Sequence, residues 1–213
     1  MGKKKTGTKR NIGIMGGTFD PIHLGHLLGA EEARETYDLD EVIFVPAGYP
    51  PHKKEELLSH AEHRYMMTVL ATITNPYFKV SRIELDISTH SYTYTLDTVT
   101  WFKKILGSEK ELYFITGADA VLDIVTWKGF DRLLKICKFI AVTRPGYSLS
   151  RLEETLGSVY ADLLDRILIL TIPGVAISST EIRKRVQEGK TIKYLTTSGV
   201  EKYILKNKLY IKF

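Results

Sequence analysis

A chain of 213 residues, 44% hydrophobic and 26% charged, is long enough for one packed α/β domain or for one with a small appendage, and its composition is that of an ordinary globular protein. No apolar run approaches the ~20 residues a membrane helix needs and no secretory apolar region lies near the start, so neither a membrane span nor export is expected. The formal net charge of +5 does not by itself imply a nucleic-acid partner, because Lys3, Lys4, Lys5, Lys9 and Arg10 supply as many positive charges as the entire excess.

Residues 1–10 read as a flexible basic tail, able to bind polyanions weakly without being built for it. Met1 to Thr6 also fits the myristoylation pattern, a short match that carries little weight by itself. Cys137 is the single cysteine and lies in an apolar segment, so it forms no internal disulfide. A buried structural thiol in a reduced, cytoplasmic compartment is expected.

Ile12-Gly13-Ile14-Met15 reads as a short buried strand, and 27–37, rich in Ala, Leu, Glu and Arg, as a helix. Between them, Gly16-Gly17-Thr18-Phe19-Asp20-Pro21-Ile22-His23-Leu24-Gly25-His26 forms a strand-to-helix loop. Gly16 and Gly17 lack Cβ, so the chain can turn sharply and a phosphate can approach its N–H groups. A helix starting near Pro21 or Ile22 would aim its free N–H groups and positive dipole end into the same space. His23 and His26, three residues apart, share one face of that turn and can donate to charge developing on a phosphate. A metal cage would need further ligands at suitable spacing, and none is near. A plain Gly-Gly turn and half of a metal site are the rival readings of this stretch. It is neither a P-loop nor the Gly-x-Gly-x-x-Gly fingerprint.

Glu41 to Pro46 reads as a second buried strand, followed by a stiff loop, Pro50-Pro51-His52-Lys53, in which Lys53 is either a phosphate contact or a solvated surface charge. Ser59-His60-Ala61-Glu62 is a capping box opening a helix to about Thr74, with Tyr65, Met66, Val69, Leu70 and Ile73 on its apolar side. Phe78 to Ile83 reads as a third strand. A hydroxyl-rich loop, 88–98, runs into a helix ending near Gly107, its hydroxyls serving as plain caps or as donors to a carboxylate or phosphate.

Glu111 to Thr116 is the fourth strand, and Asp119 just beyond it is placed to accept from ribose hydroxyls. Trp127 is core, interface or stacking platform. Phe139 to Thr143 is the fifth strand, followed by a turn with a fixed cation, Arg144. Residues 150–164 read as helix and 167–170 as a sixth strand. Ser178 and Glu181 form another capping box, which puts free N–H groups beside hydroxyls with Arg183 one turn on. Ser198 opens a last helix.

Strands alternating with helices predict a doubly wound parallel α/β sheet, with residues 11–213 as one domain and 172–213 as a small C-terminal helical lobe. Ligands of such sheets bind outside the carboxyl ends of the strands, which gathers 16–26, 46–53, 117–119 and 177–183 into one crevice.

The first loop closely resembles the GTFDPxHxGH motif of the nucleotidyltransferase superfamily related to class I aminoacyl-tRNA synthetases. Together with Pro50-Pro51-His52-Lys53, Thr95-Leu96-Asp97-Thr98, Gly117-Ala118-Asp119, Arg144-Pro145-Gly146 and Ile177-Ser178-Ser179-Thr180-x-Ile-Arg183, it resembles the bacterial nicotinate-nucleotide adenylyltransferases over nearly the whole chain after the tail. That resemblance implies a Rossmann-like nucleotidyltransferase fold and transfer of the adenylyl group of ATP to nicotinate mononucleotide, giving nicotinate adenine dinucleotide and pyrophosphate in NAD biosynthesis. It implies His23 and His26 as the catalytic pair, which with Gly16, Gly17, Thr18 and Phe19 would bind ATP. It places Asp119 at the ribose, and Ser178, Ser179, Thr180 and Arg183 at the base and phosphates. Thr98 would receive the nicotinate carboxylate, Trp127 would stack on the pyridine ring, and Lys53 and Arg144 would contact substrate or phosphate. Mg²⁺ would ride mainly on nucleotide phosphates, with no protein metal site.

One departure is Thr196-Thr197-Ser198, where that family is expected to show a proline. A pantetheine-phosphate adenylyltransferase or a cytidylyltransferase is the rival within the superfamily; such chains are typically shorter and are not expected to carry Thr98 and Trp127 together. A non-catalytic nucleotide- or RNA-binding module is the rival outside it, and the presence of both histidines argues against that. The expected partners are small molecules, with no membrane and no specific nucleic acid; the oligomeric state stays open.

Overall fold

Continuous apolar runs of four to six residues cannot leave one face wet, and here each becomes a strand covered on both sides. The computed structural model describes residues 10–50, 58–87, 92–107, 109–143, 165–174 and 176–211. Among them β1 (Asn11–Gly17), β2 (Glu41–Pro46), β3 (Phe78–Val80), β4 (Glu111–Gly117), β5 (Lys138–Thr143) and β6 (Ile167–Thr171) form one all-parallel sheet in the order β3-β2-β1-β4-β5-β6. The chain winds outward from β1 to β3 and returns to lay β4 beside β1, so the topological switch falls between those two strands, where ligand crevices of open sheets form.

The helices are α1 (Leu24–Thr36), α2 (Ala61–Thr72), α3 (Ile83–Ile87), α4 (Thr95–Leu106), α5 (Ala118–Leu122), α6 (Phe130–Ile136), α7 (Ser179–Gln187) and α8 (Ser198–Lys206). They cover two cores. Met15, Ala30, Ala33, Phe44, Met67, Ile182, Val200 and Ile204 belong to the core under α1, α2, α7 and α8. Ile12, Ile14, Val99, Phe102, Phe114, Leu133 and Phe139 belong to the one under α4 and α6. The C-terminal segment therefore packs on the same side of the sheet as the helix that follows the glycine loop. No helix among the described residues is long and apolar enough to cross a membrane.

Several local expectations change. The helix after the glycine loop begins at Leu24, with His23 as its N-cap in extended conformation (φ −143°), not at Pro21 or Ile22. Its counterpart after β2 is capped by His60, whose side chain accepts from the Glu62 N–H, rather than by Ser59. The buried face of α2 is Arg64, Met67, Thr68, Ala71 and Thr72, whereas Met66 and Ile73 are 38% and 73% exposed. The reason is a cation with buried acceptors waiting for it, described below. The third strand stops at Val80, because the Ser81 hydroxyl accepts from the Ile83 N–H at 3.3 Å and turns the chain into α3. The helix expected over 150–164, the tail up to residue 9, and the candidates Lys53 and Arg144 lie outside the described residues.

Cys137 is 3% exposed with its thiol directed at the Leu133 carbonyl (3.4 Å), and burial pushes its pKa from 9.0 up to about 12. The unfolded chain releases this proton near pH 9 while the folded one holds it. The thiol's contribution to stability is thus complete below pH 9 and is lost as pH rises toward 12. Urea unfolding at pH 8 to 11 is expected to show stability falling with pH, and Cys137→Ala is expected to flatten that fall. An identical slope in the variant would place the titration elsewhere.

Candidate active site

The carboxyl ends of β1, β4 and β5 open into a crevice of about 480 Å³, lined among others by Gly16, His23, His26, Asp119, Ser178 and Ser179. Six of the residues expected at a nucleotide from sequence are thus brought together by the switch point. Gly17, Thr18 and Phe19 are not among the residues that line it. Thr180 sits on the first turn of α7 and Arg183 on the second, where the Arg183 Nη2 donates to Thr180 Oγ1 at 3.3 Å.

The missing Cβ atoms have a use beyond ligand approach. A Cβ on Gly17 would lie 2.8 Å from the Phe19 ring, and one on Gly25 would lie 3.1 Å from the His23 Nδ1. Phe19, with φ +50° and 2% exposed, folds its ring over Gly17 and meets His26 edge-on at 5.1 Å between centroids. The two imidazoles stack with centroids 3.6 Å apart. The backbone N–H of His23 donates to His26 Nδ1 at 3.2 Å, so the neutral His26 ring carries its proton on Nε2. His23, 8% exposed, is seated at the start of α1 among that helix's first N–H groups.

The loop between the glycines and the histidines is held from two sides. Arg64, 2% exposed, donates to the carbonyls of Thr18 (3.0 Å), Ala47 (2.5 Å), Gly48 (3.0 Å) and Ser59 (3.0 Å). Asp20, also 2% exposed, accepts from the Ser59 N–H (3.2 Å) and the Tyr210 hydroxyl (2.7 Å). Burial lowers the Arg64 pKa and the Asp20 charge opposes that; burial and the same carboxylate raise the pKa of Tyr210. The C-terminal segment supplies the rest: Arg183 Nη1 donates to Asp20 O (2.8 Å), Ser179 Oγ to Pro21 O (2.9 Å) and Thr196 Oγ1 to Ile22 O (2.8 Å), while the Leu24 N–H donates to Leu195 O (3.1 Å).

Thr98 and Trp127 do not line the crevice and sit on the α4 side of the sheet. Thr98 is 4% exposed, and its hydroxyl donates to Glu84 Oε1 at 2.6 Å. Glu84 Oε2 accepts from Thr93 Oγ1 (2.7 Å) and the Gly48 N–H (3.3 Å), joining the end of β2 to the start of α4. Trp127 is half-buried edge-on against Phe114 and Phe139, and Lys128 lies over the Tyr94 ring at 4.1 Å, so the Trp127 turn and the N-cap of α4 are neighbours.

Sequence reasoning missed Arg64, Asp20, Glu84 and Tyr210. For Arg64 a signal existed: Arg64, Met67, Thr68 and Ala71 recur at helical spacing, a second stripe of small and neutral residues that competes with the more apolar one. Tyr210 and Glu84 carry no local signal.

Comparison with known proteins gives three concordant findings. The cytidylyltransferase-like family model matches residues 14–185. A probable nicotinate-nucleotide adenylyltransferase of Thermoanaerobacter sp. is 56% identical over 94% of each chain, and one of Moorella thermoacetica is 55% identical over 93% of this chain and 91% of its own. The solved structure of Plasmodium falciparum nicotinic acid mononucleotide adenylyltransferase complexed with NaAD superposes with a TM-score of 0.75 at 25% identity, covering 94% of this chain and 97% of its own.

Removing the guanidinium would strand buried carbonyls and leave Asp20 without its nearby cation, which typically costs about 3–5 kcal/mol. Arg64→Met is expected to lose stability of that order in urea unfolding, with Arg64→Lys intermediate, since it restores charge but not the planar fork. A loss under about 1 kcal/mol for Arg64→Met would remove this role.

Proposed function

The chain belongs to the cytidylyltransferase-like family and, within it, to the nicotinate-nucleotide adenylyltransferases, and from that premise we propose that it transfers the adenylyl group of ATP to nicotinate mononucleotide, releasing pyrophosphate, as a step of NAD biosynthesis. The observation that carries this reading is the stacked pair His23 and His26 at the start of α1, opening into a crevice shared with Asp119, Ser178 and Ser179. Residues 11–213 act as one catalytic unit in the cytoplasm, with 172–213 as its helical lobe.

In this reading the acceptor's phosphate oxygen attacks the α-phosphorus of ATP; a P–O bond forms to it as the bond to the pyrophosphate oxygen breaks. The nucleophile is already an anion, so no general base and no covalent intermediate is needed, and positioning with charge stabilisation supplies the rate. His23 and His26 donate to the α-phosphate oxygens as charge builds there. Gly16 and Gly17 bring backbone close to the phosphates beside Thr18 and Phe19, Asp119 accepts from the ribose, and Ser178, Ser179, Thr180 and Arg183 hold base and phosphates. Lys53 and Arg144 complete the set as substrate or phosphate contacts. Mg²⁺ would be carried mainly on the ATP phosphates, as that ion usually is.

The acceptor ring lies against Trp127, with its carboxylate toward Thr98 and the start of α4, whose N-cap Tyr94 contributes no side-chain cap. Binding turns the single Thr98 proton from Glu84 to the ligand. A carboxylate satisfies such donors, whereas the NH₂ of an amide would face them.

His23→Ala and His26→Ala are each expected to lower kcat by about 2.7–4 kcal/mol of barrier with a much smaller effect on ATP affinity, measured by pyrophosphate release and calorimetry. Unchanged turnover in both would take the pair out of the mechanism. Nicotinate mononucleotide is expected to exceed nicotinamide mononucleotide by at least about fivefold in kcat/KM, because a mispaired buried group costs about 1–3 kcal/mol. Thr98→Ala narrows that gap, and Trp127→Ala weakens both acceptors, since stacking reads the ring and not its substituent. Equal use of the two acceptors by the unaltered protein would overturn the nicotinate assignment while leaving adenylyl transfer standing.

A further inference from the structure

The departure at Thr196-Thr197-Ser198 is far from the glycine loop in sequence and touches it in space. His23 is flanked by Ile22 and Leu24, and both are pinned by two successive residues of the segment between α7 and α8. Thr196 Oγ1 donates to Ile22 O at 2.8 Å, and Leu195 O accepts from the Leu24 N–H at 3.1 Å. The peptides on either side of the imidazole-bearing residue are thereby fixed. Thr196 is 4% exposed and Ile22 0%, so water cannot substitute for the hydroxyl.

The pinning segment is itself anchored. The Leu195 N–H donates to Ile192 O at 3.1 Å, and Thr197 caps α8 through the Val200 N–H at 3.4 Å. Val200 and Ile204 of α8 are fully buried in the core that also covers α1. A rigid body on one side and a hydrogen bond on the other can set where the His23 ring points.

We propose that Thr196 is a positioning residue for His23: its hydroxyl, through the Ile22 carbonyl, holds the first turn of α1 in the orientation that aims the imidazole into the crevice. The proposal rests on the reading above for the role of His23 in turnover, though not for its position. Small misplacements of a charge-stabilising donor are amplified in rate, because stabilisation depends on distance to the transition state rather than on ground-state affinity.

The test uses the full chain with Thr196→Val, which keeps shape and loses the donor, Thr196→Ala as a second donor-free variant, and Thr196→Ser, which restores the hydroxyl. Pyrophosphate release should fall about tenfold or more in kcat for the Val and Ala variants, with KM for ATP and for nicotinate mononucleotide within about threefold. Thr196→Ser should return kcat to within about threefold of the unaltered protein. In ¹H–¹⁵N spectra of the imidazoles, the His23 signals, assigned by their loss in His23→Ala, should move in the Val and Ala variants and return in Thr196→Ser, while those of His60 stay. A kcat unchanged in the donor-free variants, or His23 signals that do not move, overturns the proposal. If the unaltered protein releases no pyrophosphate from these substrates, the function reading fails, and the imidazole spectra alone decide the positioning.

Discussion

The Arg64 guanidinium is a charge taken out of water, and so many parts of the site meet at it that the crevice depends on its being satisfied. Desolvating a guanidinium is costly, and the cost is offset only where enough acceptors converge with good geometry. Here the carbonyls of Thr18, Ala47, Gly48 and Ser59 do so, with the Asp20 carboxylate nearby. These are the turns that leave β1 and β2 and the turn that leads into α2. None of them offers its carbonyl to a ladder there, so one buried cation takes up the acceptors that strand ends leave open.

Around that cation the histidine loop is over-determined. Phe19 holds a positive φ that an L-residue adopts only at a cost of about 1–3 kcal/mol, and such a conformation persists where the surroundings leave no alternative. The surroundings are Arg64 and Ser59 on one side, and Ser179, Arg183, Thr196 and Tyr210 on the other. A loop fixed before a ligand arrives does not have to be ordered when the ligand binds, and the two stacked imidazoles are held in place with it.

The crevice and the region around Thr98 and Trp127 are built differently. The crevice at the switch point is walled by strand ends and by the starts of α1, α5 and α7, while the region around Thr98 and Trp127 is made of side chains on α4 and the turn before α6. Glu84 ties the second to the first by accepting from Thr98, Thr93 and the Gly48 N–H, and Gly48 is also held by Arg64. The two regions therefore share an anchor at Gly48, just past the end of β2.

Most of the strands, the glycine loop and the helix cap at Ser178 were legible in the chain, because each is decided by neighbours a few residues apart: a continuous apolar run, a pair of residues without Cβ, a hydroxyl three positions before a free N–H. The convergence of residues 16, 23, 26, 119, 178 and 179 was also legible, since a parallel sheet puts every strand-to-helix loop at one end. What the chain could not disclose was which face of α2 turns inward, that Tyr210 reaches Asp20, or that Thr196 reaches Ile22. The most apolar stripe of α2 lost to Arg64 because the acceptors for that cation come from residues 18, 47, 48 and 59, and a hydrogen bond between groups distant in sequence exists only once the fold has placed both ends.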